Sequence, residues 1–165
     1  VVVHDELIHA SVHEGMRLSR ARKCVPFAHN SVVDLGRVLG ELVEGDAALR
    51  EGRRSVFVAV ESLYSMDGDL APLKQIVETV ERVLPRGNGH VVVDEAHSTG
   101  IYGREGRGVV CSLGLEGRVY ARLHTFGKAL ACNGGMWSCF PLRIVLELTG
   151  KSDISLRQVD EGVSD

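Results

Sequence analysis

Lys128 lies between small neighbours in Thr125-Phe126-Gly127-Lys128-Ala129-Leu130, and Asp94 closes the apolar run Val91-Val92-Val93 upstream of it. His97 follows Asp94 by three residues. An unhindered amine, an acid at the rim of the core and an imidazole at fixed spacing are what pyridoxal 5′-phosphate (PLP) requires of a protein. The lysine would form an imine with the cofactor aldehyde, and the acid would keep the pyridine nitrogen protonated so that the ring can withdraw electrons. A lysine used in this way must be partly desolvated. Each residue alone has a plainer reading: a solvated lysine, an N-cap aspartate, a satisfied loop histidine. Their combination points to the cofactor.

Other candidates surround these three. Thr125 offers a hydroxyl close to Lys128, either for a phosphate or ring oxygen or for the turn itself. Ser65, in Glu61-Ser62-Leu63-Tyr64-Ser65-Met66-Asp67-Gly68-Asp69, leaves a strand end in the same manner. Asp67 and Asp69 read as turn residues rather than metal ligands. His9 and His13 share a helical face at a spacing that suits a divalent metal, but no glutamate follows His9. His9 is read as turned toward the cleft and His13 as structural. The run Gly103–Gly108 lacks the lysine-serine pair of a P-loop and the glycine spacing of a dinucleotide fold. No Gly-x-Ser-x-Gly nucleophile elbow occurs.

The elements that must position these groups alternate. Val1–Val3 is a strand stub, and Asp5–Leu18 carries an apolar stripe at helical spacing. Cys24–Ala28 is a short strand. Ser31–Leu42 is a helix, with Ser31 as N-cap and Asp34 in the capping-box position. Ser55–Val60 suits a central parallel strand. Pro72 opens a helix whose apolar face runs from Leu73 to Leu84. His90–Val93 and Val119–Leu123 are further strands, Gly100–Gly108 is a loop, and Leu142–Leu148 is a final helix. Such alternation predicts an α/β fold, a mostly parallel sheet with helices on both faces. Ligands then sit beyond the carboxyl ends of the strands, where Ser65, Asp94, His97 and Lys128 all fall.

The sequence has 165 residues, 44% hydrophobic and 25% charged, enough for one domain with a real core. A net charge of −3 gives no electrostatic footprint for nucleic acid. No apolar run reaches the roughly 20 residues that span a bilayer. Cys24, Cys111, Cys132 and Cys139 are scattered, which favours reduced thiols and a cytoplasmic location, with mitochondrial targeting left open.

Four blocks resemble the α-oxoamine synthases, PLP enzymes of the class I/II aminotransferase fold. They are Asp5-Glu6-Leu7-Ile8-His9-Ala10-Ser11, the Glu61–Asp69 block with Ala71-Pro72-Leu73, Val93 through Gly108, and Thr125 through Ala129. The resemblance implies the large domain of a PLP-dependent transferase of the aspartate aminotransferase type. Lys128 would be the imine lysine and the base for the substrate α-proton, Asp94 the pyridinium partner, Ser65 and His97 contacts of the phenolic oxygen, and Thr125 a phosphate contact. It implies an enzyme that condenses an amino acid with an acyl-CoA, usually with decarboxylation, and a homodimer for the intact parent. Amino transfer on the same site, or an inactive fragment, are the alternatives. The family's upstream phosphate-binding loop and ring-stacking residue are expected before Val1. Likeness fades past Gly135, as a change of reading frame there would produce. The expected division is a partial PLP-binding large domain over 1–149 and a polar tail, without family likeness, over 150–165.

Overall fold

The structure is a computed structural model; it describes residues 1–139 and the backbone of two further strands, 144–149 and 153–158. In chain order the elements are β1 (Val2–Asp5), α1 (Ala10–Leu18), β2 (Cys24–Phe27), α2 (Val32–Gly45), α3 (Ala47–Arg50), β3 (Val56–Glu61), α4 (Leu73–Val83), β4 (Gly89–Asp94), α5 (Val109–Ser112), β5 (Ala121–Thr125), β6 (Gly135–Cys139), β7 (Ile144–Thr149) and β8 (Asp153–Gln158). The described strands form one sheet in the order β2-β1-β3-β4-β5-β6-β7-β8. Strands β1 to β5 pair in parallel, and β5 through β8 pair antiparallel.

Alternation along the strands sorts the two faces. Val3, Val56, Val58, Val60, Val91 and Val93 pack with Leu35, Leu39, Ile76 and Val77 of α2 and α4 into one core. Burial of this kind is worth about 25 cal/mol per Å² of apolar surface removed from water. Gly89 lets α4 lie close on β4, since a Cβ there would stand 2.6 Å from a Val80 methyl and 2.9 Å from Leu84. The opposite face carries α1, whose His13 ring meets His4 edge-on at 5.0 Å. Helices therefore occupy both faces, as the pattern predicts.

Four features depart from the sequence reading. The predicted helix over Asp5–Leu18 begins only at Ala10, with His9 as N-cap. Asp5 instead ends β1, because its buried carboxylate serves the neighbouring loop. In α2, Ser31 caps the Asp34 N–H as expected, at 3.2 Å, but the Asp34 carboxylate reaches back to the Ala28 N–H rather than to Ser31. The predicted final helix over Leu142–Leu148 is a strand from Ile144, paired with β6 and β8. Ile144, Val145 and Thr149 are β-branched and stiff at χ1, which favours the pleated form. The start of that prediction, 142–143, lies outside the described residues. Part of the predicted polar tail is strand β8.

Candidate active site

Parallel strands bring their carboxyl ends to one edge, and β3, β4 and β5 end there on Glu61, Asp94 and Thr125. Glu61 is in register with Asp94, and Asp94 with Leu123. Glu61 and Asp94 therefore lie side by side on the face opposite the valine core. After Thr125 the chain reverses through 126–134. That reversal is closed by the Phe126 N–H on Gly134 O (3.0 Å) and the Cys132 N–H on Phe126 O (2.9 Å). It carries Lys128 back over the strand ends.

There the Lys128 amine stands 3.0 Å from Nε2 of His97. Burial, and then the Lys128 charge, hold the His97 imidazole below its ordinary value. His97 is thus neutral near pH 7 and accepts the Lys128 N–H at Nε2. Asp94 is 9% exposed. Burial raises its carboxyl above the usual range, while the Ala96 N–H and the nearby Lys128 charge draw it back. Glu61 is raised further, to about 7, by burial and then by Asp94. Two carboxyls side by side in a poorly solvated place do not both ionise readily, so one keeps its proton. Glu61 in turn accepts the His9 N–H at 2.8 Å.

The Asp94 carboxylate accepts one hydrogen bond among the described residues, from the Ala96 N–H to Oδ1 at 2.9 Å. It has no ion pair there. A buried carboxylate so sparsely satisfied calls for a cationic N–H donor, and a pyridinium is one. On this observation the residues fit PLP.

The structure brings together Asp94, His97 and Lys128. It leaves Thr125 half-buried at the end of β5, one edge residue away, and Ser65 exposed on the loop between β3 and α4. Neither hydroxyl bonds to the other three. His9 and Glu61 join the group, and the sequence had offered a signal for each. His9 is read from the sequence as turned toward the cleft, whereas Glu61 is a site residue that reading misses, although it shares its strand-end position and face with Asp94. His13 packs on His4, and no cluster of three or more metal-capable side chains occurs among the described residues.

Glu95, next to Asp94, points to the other face and is wholly buried. Its Oε1 accepts the Val110 N–H at 2.9 Å. Gly108, at φ 93° and ψ 175°, leaves room for that carboxylate. The glycine-rich run is therefore a loop strapped to Glu95, not a phosphate cradle. On the same side of β5, a cavity of about 260 Å³ is lined by Thr99, Arg107, Arg122 and His124, away from Lys128.

A family model described as aminotransferase class I and II matches residues 1–152, past the point where motif likeness fades. The chain is 56% identical over 139 residues to an 8-amino-7-oxononanoate synthase of Emericella nidulans, covering 84% of this chain and 34% of that protein. It is 44% identical over 135 residues to the aminoacyl transferase sphA of Aspergillus fumigatus, covering 82% and 29%. Among solved structures, a Sphingomonas wittichii serine palmitoyltransferase superposes with a TM-score of 0.72 at 36% identity, covering 85% of this chain and 32% of that one. A high-resolution structure of SPT with a PLP internal aldimine gives 0.69 at 35% identity, covering 92% and 32%. The chain spans about a third of the length of these relatives.

Proposed function

The chain belongs to the class I and II aminotransferase family, and on that premise we propose that the whole enzyme is a PLP-dependent acyltransferase. It would join an amino acid to an acyl-CoA, with loss of carbon dioxide and release of coenzyme A. The observation that carries this reading is the Lys128 amine, held 3.0 Å from a neutral His97 beside the buried Asp94 carboxyl. The likeness to an 8-amino-7-oxononanoate synthase supports the choice of acyl transfer over amino transfer.

PLP, when bound, supplies an aldehyde for an amine and a ring that accepts electrons from the substrate carbon. In this reading Lys128 would hold the aldehyde carbon until the substrate amine displaces it, and the freed Nζ would then take the substrate α-proton. His97 holds the amine in place through Nε2, which keeps the proton transfer short. Asp94 holds a proton on the ring nitrogen, and its carboxylate charge is stabilised there by a cation it otherwise lacks. Glu61, neutral over part of the physiological range, keeps a second negative charge from competing for that cation. His97 and Ser65 are assigned to the phenolic oxygen and Thr125 to the phosphate. The same reading places the enzyme in the cytoplasm as a homodimer, supported by four free thiols and by family likeness.

Supplying the full-length enzyme with an amino acid and an acyl-CoA tests the reaction class. Stoichiometric release of free coenzyme A is expected. Keto-acid formation without coenzyme A release would make it an aminotransferase instead.

A further inference from the structure

We propose that His29 is the positioning residue of the Ser65 loop: by bridging Asp5 and Asp69 it fixes the segment between β3 and α4 against the ends of β1 and β2, and with it the hydroxyl offered to the cofactor. The proposal rests on the PLP reading of Ser65.

Asp5 ends β1 with no exposed surface. Three donors converge on its carboxylate: the Leu7 N–H at 2.9 Å, the Asn30 N–H at 2.8 Å and Nδ1 of His29 at 2.8 Å. The far side of the same ring, Nε2, meets Asp69 Oδ2 at 2.8 Å, and the Asn30 amide donates to that oxygen at 2.5 Å. An imidazole facing a carboxylate at each nitrogen donates through both only as imidazolium, so the bridge is charge-assisted at each end. Tyr64 packs its ring edge-on against His29 at 4.5 Å and accepts the Glu61 N–H on its hydroxyl at 3.2 Å. One ring thus joins β1, the turn after β2 and the return limb of the β3–α4 loop.

The loop needs such a hold. Its neck is closed by the Tyr64 N–H on Asp69 O (3.0 Å), the Gly68 N–H on Tyr64 O (2.9 Å) and a bridge between Leu63 and Leu70. Beyond the neck, Ser65, Met66, Asp67 and Gly68 are exposed, Met66 at 92%. The tip gains no packing from its own side chains. Its position is set where Asp69 is gripped, and an exposed serine on an ungripped loop would be spread over many conformations.

The test uses the full-length protein, with His29→Gln, Ser65→Ala and the double variant. Amide exchange of Tyr64 and Gly68 is measured without PLP, and PLP affinity is measured by visible absorption. His29→Gln is expected to speed exchange at the neck about tenfold or more, and to weaken PLP about tenfold, the scale of one charge-assisted hydrogen bond. Ser65→Ala is expected to weaken PLP similarly, with the double variant no worse than Ser65→Ala alone. Multiplying losses would show that His29 acts independently of Ser65 and would overturn the proposal. Unchanged exchange would overturn the clamp itself. A wild type that takes up no PLP refutes the cofactor reading, and the positioning role with it, while exchange still reports whether His29 grips the loop. Should His29→Gln not fold, Asp69→Asn keeps every donor to Asp5 and is read by the same two measurements.

Discussion

Gly108→Ala tests whether the strap between Glu95 and the glycine-rich loop is built as described. Gly108 sits at φ 93° and ψ 175°, a region open essentially to glycine alone, and an alanine there costs about 1–3 kcal/mol. The added Cβ would also overlap Glu95 Oε1 and stand 2.7 Å from its Cδ, so the carboxylate has to leave. Leaving forfeits the bond from the Val110 N–H, about 1.5–3 kcal/mol for a charged acceptor. Together the loss is about 4 kcal/mol, a large share of the 5–15 kcal/mol typical of a native domain. The urea midpoint should fall with little change in slope, and the melting temperature should drop by on the order of 10 °C. Glu95→Ala removes the obstacle, so adding Gly108→Ala to it should cost only the backbone part. A cycle in which the two losses simply add would refute the steric account.

Other outcomes are as specific. Leu39→Ala, at a fully buried position of α2, should destabilise the domain by about 2–5 kcal/mol in the same urea assay, through lost burial and the cavity left behind. His29 is held above its ordinary value by Asp5 and Asp69 against the cost of burial. Its contribution is therefore fully present below its unfolded value, near 6.5, and lost as pH rises through the higher folded value. The urea midpoint should decline across that window, and His29→Gln should abolish the decline. His124 behaves oppositely: burial, then Arg122, lowers it to about 4. Stability from keeping it neutral is full above about 6.5 and is lost as pH falls toward that folded value. His124→Gln should flatten the acid limb between those values.

The parts of the fold that were legible were those with a strong period. The valines of β3 and β4 and the apolar face of α4 announce a buried parallel strand and an amphipathic helix, and both form. The reading of Asp5 as helical failed because a strand of four residues carries too little pattern to outweigh the stripe that follows. The antiparallel extension failed for a related reason. A short apolar run such as Ile144–Leu148 fits either period, and pairing with β6, a non-local fact, decides it. The grouping of Asp94, His97 and Lys128 was readable because strand ends share an edge. The roles of His29 and Glu95 were not, because their partners lie 40 and 15 residues away.

In the proposed function, Lys128 is the amine that meets the cofactor aldehyde. Borohydride reduction of the full-length protein after PLP uptake, followed by peptide mass spectrometry, tests it directly. Lys23, Lys74 and Lys151 are the other lysines of this chain and serve as internal controls. A phosphopyridoxyl adduct is expected on Lys128 at one per chain, absent in Lys128→Ala. An adduct on another lysine, or persistence of the label in Lys128→Ala, would contradict it.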